Sequence, residues 1–421
     1  MSNRAPYSQS KNWLRGMFLC ACFALISVPM FVHILKLETT KADLENRSLA
    51  EYPGKPKNRE EWLHFTGKFD RYLDDHFGLR QTLVQWNQAW RYQFLHDAVS
   101  PQITLGSEDY LFFNAHEAKH PMRMLSFICG RGINEDQIDE LSQQVSDFAH
   151  FATASNANTT IAFVPSKPAV YSEYLPTWWQ QECAQFQPTL SRMMTRLEQG
   201  AAQVPVVYPL AQMMEFKRRD QLYPHYDFHW QGKGAQAYAQ ILAEQIWGQK
   251  PSATLVFRNE LSESDMQRFM PGVDLRQNLQ KPDWQKNAWS YCEGAACFPE
   301  MSSAAILGDV TRLKVKAEPQ QNTQTKKRLL LITDSFGHGV APYFAPYFDE
   351  VWHVSSNNMG ALNPQQLDQL KQDFERYAPT RTLYLFHDFA LSCFSQTMKY
   401  CPLELPPVLR EIHPSVNVPQ R

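Results

Sequence analysis

The chain has 421 residues, 43% of them apolar, enough for one large core or two small ones, and it is neither low in complexity nor highly charged. Its 41 basic and 43 acidic residues nearly cancel, which excludes the strong positive field of a general nucleic-acid binder. An aromatic content of 13% with 11 Trp permits rings that stack on sugars, although most rings in a domain of this size fill core.

The first predicted element is a membrane span. Met17–Leu35 is a run of 19 residues without Asp, Glu, Lys or Arg, about the length of a hydrocarbon core. Arg4, Lys11 and Arg15 precede it with no acidic residue, whereas Lys36, Lys41 and Arg47 behind it are mixed with Glu38, Asp43 and Glu45. This asymmetry predicts a cytoplasmic tail over 1–15, an anchor over 16–35 and export of everything beyond. A cleaved signal peptide is the alternative, but the apolar run is long and no small-x-small cleavage site follows it.

Residues 36–59 read as a polar linker with Pro53 and Pro56 around Gly54. A helical lead-in is expected over 60–98: Trp62, Phe65, Phe69 and Tyr72, then Leu79, Leu83, Trp86 and Trp90, recur at steps of three and four. From 99 to 421 helices and strands alternate. The pattern predicts a helix over Glu135–Ala154 behind an Asn134 cap, a strand over Thr159–Val164, a helix near Leu190–Leu197 and a strand over Val204–Tyr208. A helix over Gly234–Trp247, a strand over Arg328–Ile332, a short helix after Ser335 and a strand over Val351–Val354 follow. Asn363-Pro364 opens a helix to Tyr377, and Thr382–Phe386 closes the series. Such alternation implies an α/β fold, three layers around a mostly parallel sheet. The pattern lapses between about 250 and 327, which reads as a cap-like insertion.

Two of the eight cysteines, Cys20 and Cys22, lie in the apolar run. An even count outside it suits disulfides in an exported domain. Cys292/Cys297 and Cys393/Cys401 are close enough to pair locally, leaving Cys129/Cys183. There is no C-x2-C and no His tandem beside these cysteines to suggest zinc. No metal and no cofactor is expected.

Two segments carry candidate chemistry. Leu329-Leu330-Leu331-Ile332-Thr333-Asp334-Ser335-Phe336-Gly337 is a buried strand ending in a tight turn. In parallel α/β sheets ligands bind beyond the carboxyl ends of the strands, where Ser335 falls. The amides of Ser335 and Gly337 at the following helix start are candidates for an oxyanion hole. A strand-end Ser that merely caps a helix is the commoner arrangement. The second segment, Tyr226-Asp227-Phe228-His229-Trp230, precedes a helix, and an acid two residues before a histidine can fix one tautomer of the imidazole. An isolated D-x-H is more often a capping aspartate beside a packed histidine, and the H-x-D-x-H string through His225 offers a weak metal reading. Together, at about 105 residues apart and on one sheet edge, they make a consistent triad. Ser335 is its nucleophile, His229 its base and Asp227 its orienting acid.

Several segments, taken with these two, resemble the SGNH hydrolase-like O-acetyltransferases of bacterial exopolysaccharide assembly, specifically the AlgJ/AlgX-like family of alginate acetylation. They are Glu45-Asn46-Arg47-Ser48-Leu49 with Pro53, Asp75-His76-Phe77-Gly78-Leu79-Arg80, Tyr110-Leu111-Phe112-Phe113, and Val164-Pro165-Ser166-Lys167 running into Val170-Tyr171-Ser172-Glu173-Tyr174-Leu175-Pro176. The order of Asp227, His229 and then Ser335 is also that of the family. The resemblance implies acetyl transfer through an acyl-serine onto hydroxyls of a polysaccharide, alginate-like or another, in the periplasm. It further implies a single-pass inner-membrane protein, a membrane-bound O-acyltransferase as acetyl source and contact with polysaccharide synthesis and secretion machinery. Nucleic acid is not an expected partner. A carbohydrate acetyl esterase with the same triad, and a non-catalytic glycan-binding scaffold, are the alternatives. Lys167, Tyr171 and Trp230 are candidate substrate-binding residues. Structural capping by the first two and core packing by the third are the bland readings. His338, Trp178-Trp179 and the strand-end Phe386-His387-Asp388 are further polar or aromatic candidates without a family match.

Overall fold

The computed structural model describes residues 7–35, 49–98, 100–114, 124–156, 158–200, 205–316 and 326–393. The chain divides into two compact units, Met1–Ser100 with Gln267–Asp274, and Pro101–Met266 with Leu275–Arg421.

In the first unit, α1 (Tyr7–Ile34) contains an 18-residue window, Arg15–Val32, long and apolar enough to cross a membrane. The lead-in is two helices. α2 (Arg59–His76) starts at Asn58, whose side chain accepts the Glu61 amide. α3 (Arg80–Leu95) starts after Leu79, held at φ 66°.

The second unit is built on a seven-stranded sheet. In chain order the strands are β1 (Ile103–Leu105), β2 (Leu111–Phe113), β3 (Thr159–Val164), β4 (Val206–Val207), β5 (Phe257–Ser262), β6 (Gln277–Pro282), β7 (Trp289–Glu293), β8 (Val310–Val315), β9 (Arg328–Thr333), β10 (Glu350–Ser355) and β11 (Arg381–His387). The main sheet runs β4-β3-β11-β9-β10-β8-β7, while β1/β2 and β5/β6 are separate antiparallel pairs. Its first five strands are parallel, and β8 and β7 extend it antiparallel.

Alternate side chains of each strand enter different cores, as a pleated strand requires. Ala162, Val164, Leu329, Leu331, Leu383 and Leu385 face one core, with Ala235 to Ala243 and Phe336. Ile161, Phe163, Leu330, Ile332, Tyr384 and Phe386 face the other, with Val145, Leu190 and Leu370. Burial on both faces explains why these strands read as unbroken apolar runs rather than alternating ones. The result is a three-layer α/β domain.

The helices over Glu135–Ser155 and Pro364–Tyr377 each open with a capping box, on Asn134 and Asn363. The stretch over 250–327, read as a cap-like insertion, requires correction: β7 and β8 lie within it and belong to the main sheet. Its strands are short and half polar, so no helix–strand rhythm marked them. Disulfides join Cys129 to Cys183 and Cys292 to Cys297. Cys401 of the expected Cys393–Cys401 pair lies outside the described residues, as do 45–48 of the family-like segments.

Candidate active site

Ser335 stands at the carboxyl end of β9, where the chain turns into the short helix Phe336–Val340. Gly337 makes that turn feasible. A Cβ there would lie 1.7 Å from Thr333 Oγ1 and 2.6 Å from His353 Nε2, so no larger residue fits. Asp334 holds the turn from below, its Oδ1 accepting the Phe336 amide at 2.9 Å. The Ser335 amide has no hydrogen-bond partner among the described residues and is available to an oxyanion. Gly337 is not: its amide donates to the Asp334 carbonyl at 3.1 Å, because the helix begins at once and uses it internally. This corrects its assignment as an oxyanion donor.

His229 lies on the loop between the helix Leu210–Lys217 and the helix Lys233–Gln240. Its Nε2 is 2.8 Å from Ser335 Oγ. Its Nδ1 is 2.6 Å from Oδ2 of Asp265, a residue on the loop after β5. The same carboxylate accepts the Phe228 amide at 2.8 Å and the His229 amide at 2.9 Å, so it fixes both the ring and the backbone that carries it. Burial on its own would raise Asp265, but the hydrogen bonds and charge of His229 with these amides hold it below the usual carboxylate range.

Asp227 therefore does not occupy the place predicted for it. Its Oδ1 accepts the Asp265 amide at 3.1 Å and its Oδ2 accepts Gln277 Nε2 at 2.8 Å, one layer behind the imidazole. Burial, and then the charge of Asp265, raise it to about 6. A buried carboxylate next to a half-buried one favours a single charge, and the hydrogen bonds place that charge on Asp265.

The three candidate binding residues are braces of this loop rather than faces of a cleft. Lys167 is 1% exposed, and its Nζ donates to the carbonyls of Pro224 (2.7 Å), His225 (2.6 Å) and Asp227 (3.0 Å). Burial lowers it to about 7, with Asp227 and Asp265 opposing the shift. Tyr171 is buried, and its hydroxyl accepts the Leu222 amide at 3.0 Å. Trp230 is 0% exposed and donates from Nε1 to the Phe336 carbonyl at 3.0 Å, tying the base loop to the helix behind Ser335. Each correction has one cause: topology put these residues at the active edge of the sheet, and their size took them inward.

Among the other candidates, His338 pairs through Nδ1 with Asp309 Oδ1 at 3.3 Å, which raises the imidazole. Trp178 is exposed and Trp179 buried. His225 packs against Tyr110, with ring centroids 4.2 Å apart and the rings tilted by 31°, and among the described residues the H-x-D-x-H string does not converge on a metal site. No local sequence pattern marks Asp265 or Gln277. Asp265 sits in a polar Ser-Glu-Ser-Asp stretch, and nothing in that local composition separates it from Glu260 or Glu263.

A serine on imidazole at the carboxyl edge of a parallel sheet, in a three-layer α/β domain, defines the SGNH hydrolase-like class of acyl-transfer folds. Residues 103–315, just over half of the chain, match the family described as "SGNH hydrolase-like domain, acetyltransferase AlgX". The chain belongs to that family. His229, Asp227 and Asp265 lie inside the matched region, and Ser335 lies beyond it. No curated protein matches the chain in sequence.

Solved structures similar to it include the O-acetyltransferase domain of Pseudomonas putida AlgJ, at 18% identity over 75% of this chain and 100% of that one, TM-score 0.44. Bacillus cereus PatB1 with a sulfonyl adduct is similar at 14% identity over 69% and 97%, TM-score 0.43. Pseudomonas aeruginosa AlgX is similar at 14% over 73% and 67%, TM-score 0.36.

Proposed function

We propose that this protein transfers acetyl groups through an acetyl-Ser335 intermediate onto hydroxyls of an exported polysaccharide, outside the cytoplasm. The observation that carries this reading is the Ser335–His229–Asp265 chain of hydrogen bonds, at 2.8 and 2.6 Å, in a domain of an acetyltransferase family.

In the first half-reaction Ser335 Oγ attacks the acyl carbonyl as His229 Nε2 takes its proton. The tetrahedral oxyanion rests on the Ser335 amide, and collapse expels the donor oxygen, which takes the proton back from His229. In the second half-reaction a sugar hydroxyl attacks the acetyl-serine carbonyl. Its proton passes to His229 Nε2, the Ser335 Oγ–carbon bond breaks and Oγ recovers the proton. Asp265 holds Nδ1 protonated throughout and offsets the imidazolium formed in each half. The chemistry uses no metal or cofactor.

The apolar helical window Arg15–Val32, read as an uncleaved anchor, and two disulfides support a single-pass protein whose enzyme domain lies in the periplasm. A membrane-bound O-acyltransferase is the proposed acetyl source, and polysaccharide synthesis and secretion machinery the proposed setting. Replacing Ser335 with Ala in the native host should abolish acetylation of the exported polymer at unchanged protein abundance. Normal acetylation in that strain would refute the reading. Purified protein given an acetyl ester and releasing only free acetate, with or without oligosaccharide, would make it an esterase instead.

A further inference from the structure

Besides His229, a second imidazole stands at the carboxyl edge of the sheet in the same electronic setting. His387 ends β11, the parallel neighbour of β9. Its amide and its Nδ1 both meet Oδ2 of Asp334, at 2.7 and 2.6 Å, and Asp334 is the residue immediately before the nucleophile. Asp334 is buried, and its other oxygen accepts the Phe336 amide, so this carboxylate has no freedom to turn away. A buried carboxylate beside Nδ1 fixes the tautomer with the proton there and leaves Nε2 a lone pair.

The two imidazoles flank one aromatic pair. The His229 ring lies 4.7 Å from both Phe228 and Phe336, and the His387 ring lies 5.8 Å and 5.1 Å from the same two, nearly parallel to Phe336 at 11°. His387 Nε2 has no hydrogen-bond partner among the described residues and is not among their buried unpaired atoms, while 12% of the side chain reaches solvent. An oriented acceptor at the accessible tip of a nearly buried ring is costly to hold without a use, since stacking on Phe336 needs no carboxylate.

We propose that His387, held by Asp334, is the hydrogen-bond acceptor that anchors a hydroxyl of the incoming glycan beside acetyl-Ser335. The inference rests on the proposed acyl-serine mechanism. His387 transfers no proton to the reacting atoms; it receives a hydrogen bond from a hydroxyl of the acceptor sugar, and so turns the neighbouring hydroxyl toward the acetyl carbonyl in place of water. With the Nδ1 proton directed at Asp334, Nε2 is placed to accept a hydrogen bond, which suits a hydroxyl-bearing ring.

The test uses the full-length protein in its native host with two readouts, covalent labelling of Ser335 in membranes by a serine-directed phosphonate and acetyl content of the exported polymer. His387→Phe retains the ring stack and removes the acceptor. Labelling should proceed at the wild-type rate while polymer acetylation falls about ten-fold or more. His387→Gln, which can accept through its amide oxygen, should restore part of the acetylation. Acetylation within two-fold of wild type in His387→Phe overturns the proposal. Loss of labelling in both variants overturns it too, since His387 would then serve the nucleophile or the fold. Failure of the wild-type protein itself to label at Ser335 would strike the acyl-serine mechanism rather than the role of His387.

Discussion

Asp265 touches Nδ1 of His229, and Asp227 stands behind it, so the two acids are expected to separate in a mutational test. Asp265→Asn loses the ionised partner and presents an amide to an imidazole that needs an acceptor, so kcat should fall about 10³- to 10⁴-fold, as when a triad acid is neutralised. Asp227→Asn should cost far less activity, because its side-chain oxygen still accepts the Asp265 amide and the Gln277 amide can turn to face the new NH₂. Steady-state kinetics on an acetyl ester decides the order, and equal losses would return the orienting role to Asp227.

The pH dependence of stability follows from the same pair. Asp227 is raised from 3.8 to about 6, so it binds more protons folded than unfolded. Its contribution is complete below about pH 4 and is lost as pH rises through 6, a cost of up to about 3 kcal/mol at neutrality. Asp227→Asn should therefore match or exceed the wild-type Tm at pH 7.5 and lose that advantage at pH 4, a crossover that calorimetry at the two pH values reads directly.

Ser335 and His229 were legible in the sequence because a strand-end turn and a pre-helix loop are local patterns. Asp265 was not, since its partnership spans 36 residues of chain without a repeat or a cap to announce it. Lys167, Tyr171 and Trp230 show the complementary limit: topology places a residue at an edge but does not say which way its side chain packs.

At the scale of elements, the parallel strands could be read because both faces are buried and the runs are wholly apolar, as in Leu329-Leu330-Leu331-Ile332. β7 and β5 hid because, apart from the buried Trp289, their residues are half-buried or exposed without a regular alternation, a weak signal over five or six residues. Two elements should prove structurally demanding. Lys167 draws together three carbonyls of the base loop, so Lys167→Met leaves them without their donor and should cost about 3 kcal/mol or more. Urea unfolding measures it. The disulfides should differ in weight. Cys129–Cys183 closes a separation of 54 residues and Cys292–Cys297 one of 5. Chain entropy then predicts about 4 kcal/mol for the first and about 2 kcal/mol for the second. Cys→Ser pairs compared by guanidinium midpoint test that ranking, and a larger loss at Cys292–Cys297 would contradict it.

At the scale of the whole molecule, the proposed chemistry requires that the enzyme domain and its glycan share a compartment, and the disulfides require that compartment to be oxidising. Both demands are met if α1 spans the membrane with its amino end in the cytoplasm, the orientation favoured by Arg4, Lys11 and Arg15 facing a mixed-charge flank. Alkaline phosphatase, active only after export, reports this directly: fused after Leu95 it should be active, and fused after Arg15 inactive. Exchanging Arg4, Lys11 and Arg15 for Glu removes the basic bias and should lower the activity of the Leu95 fusion. In the full-length protein the same exchange should lower oxidation of Cys129–Cys183, because both depend on the same translocation. An active Leu95 fusion with reduced cysteines would separate the two and place the bridge outside the logic of export.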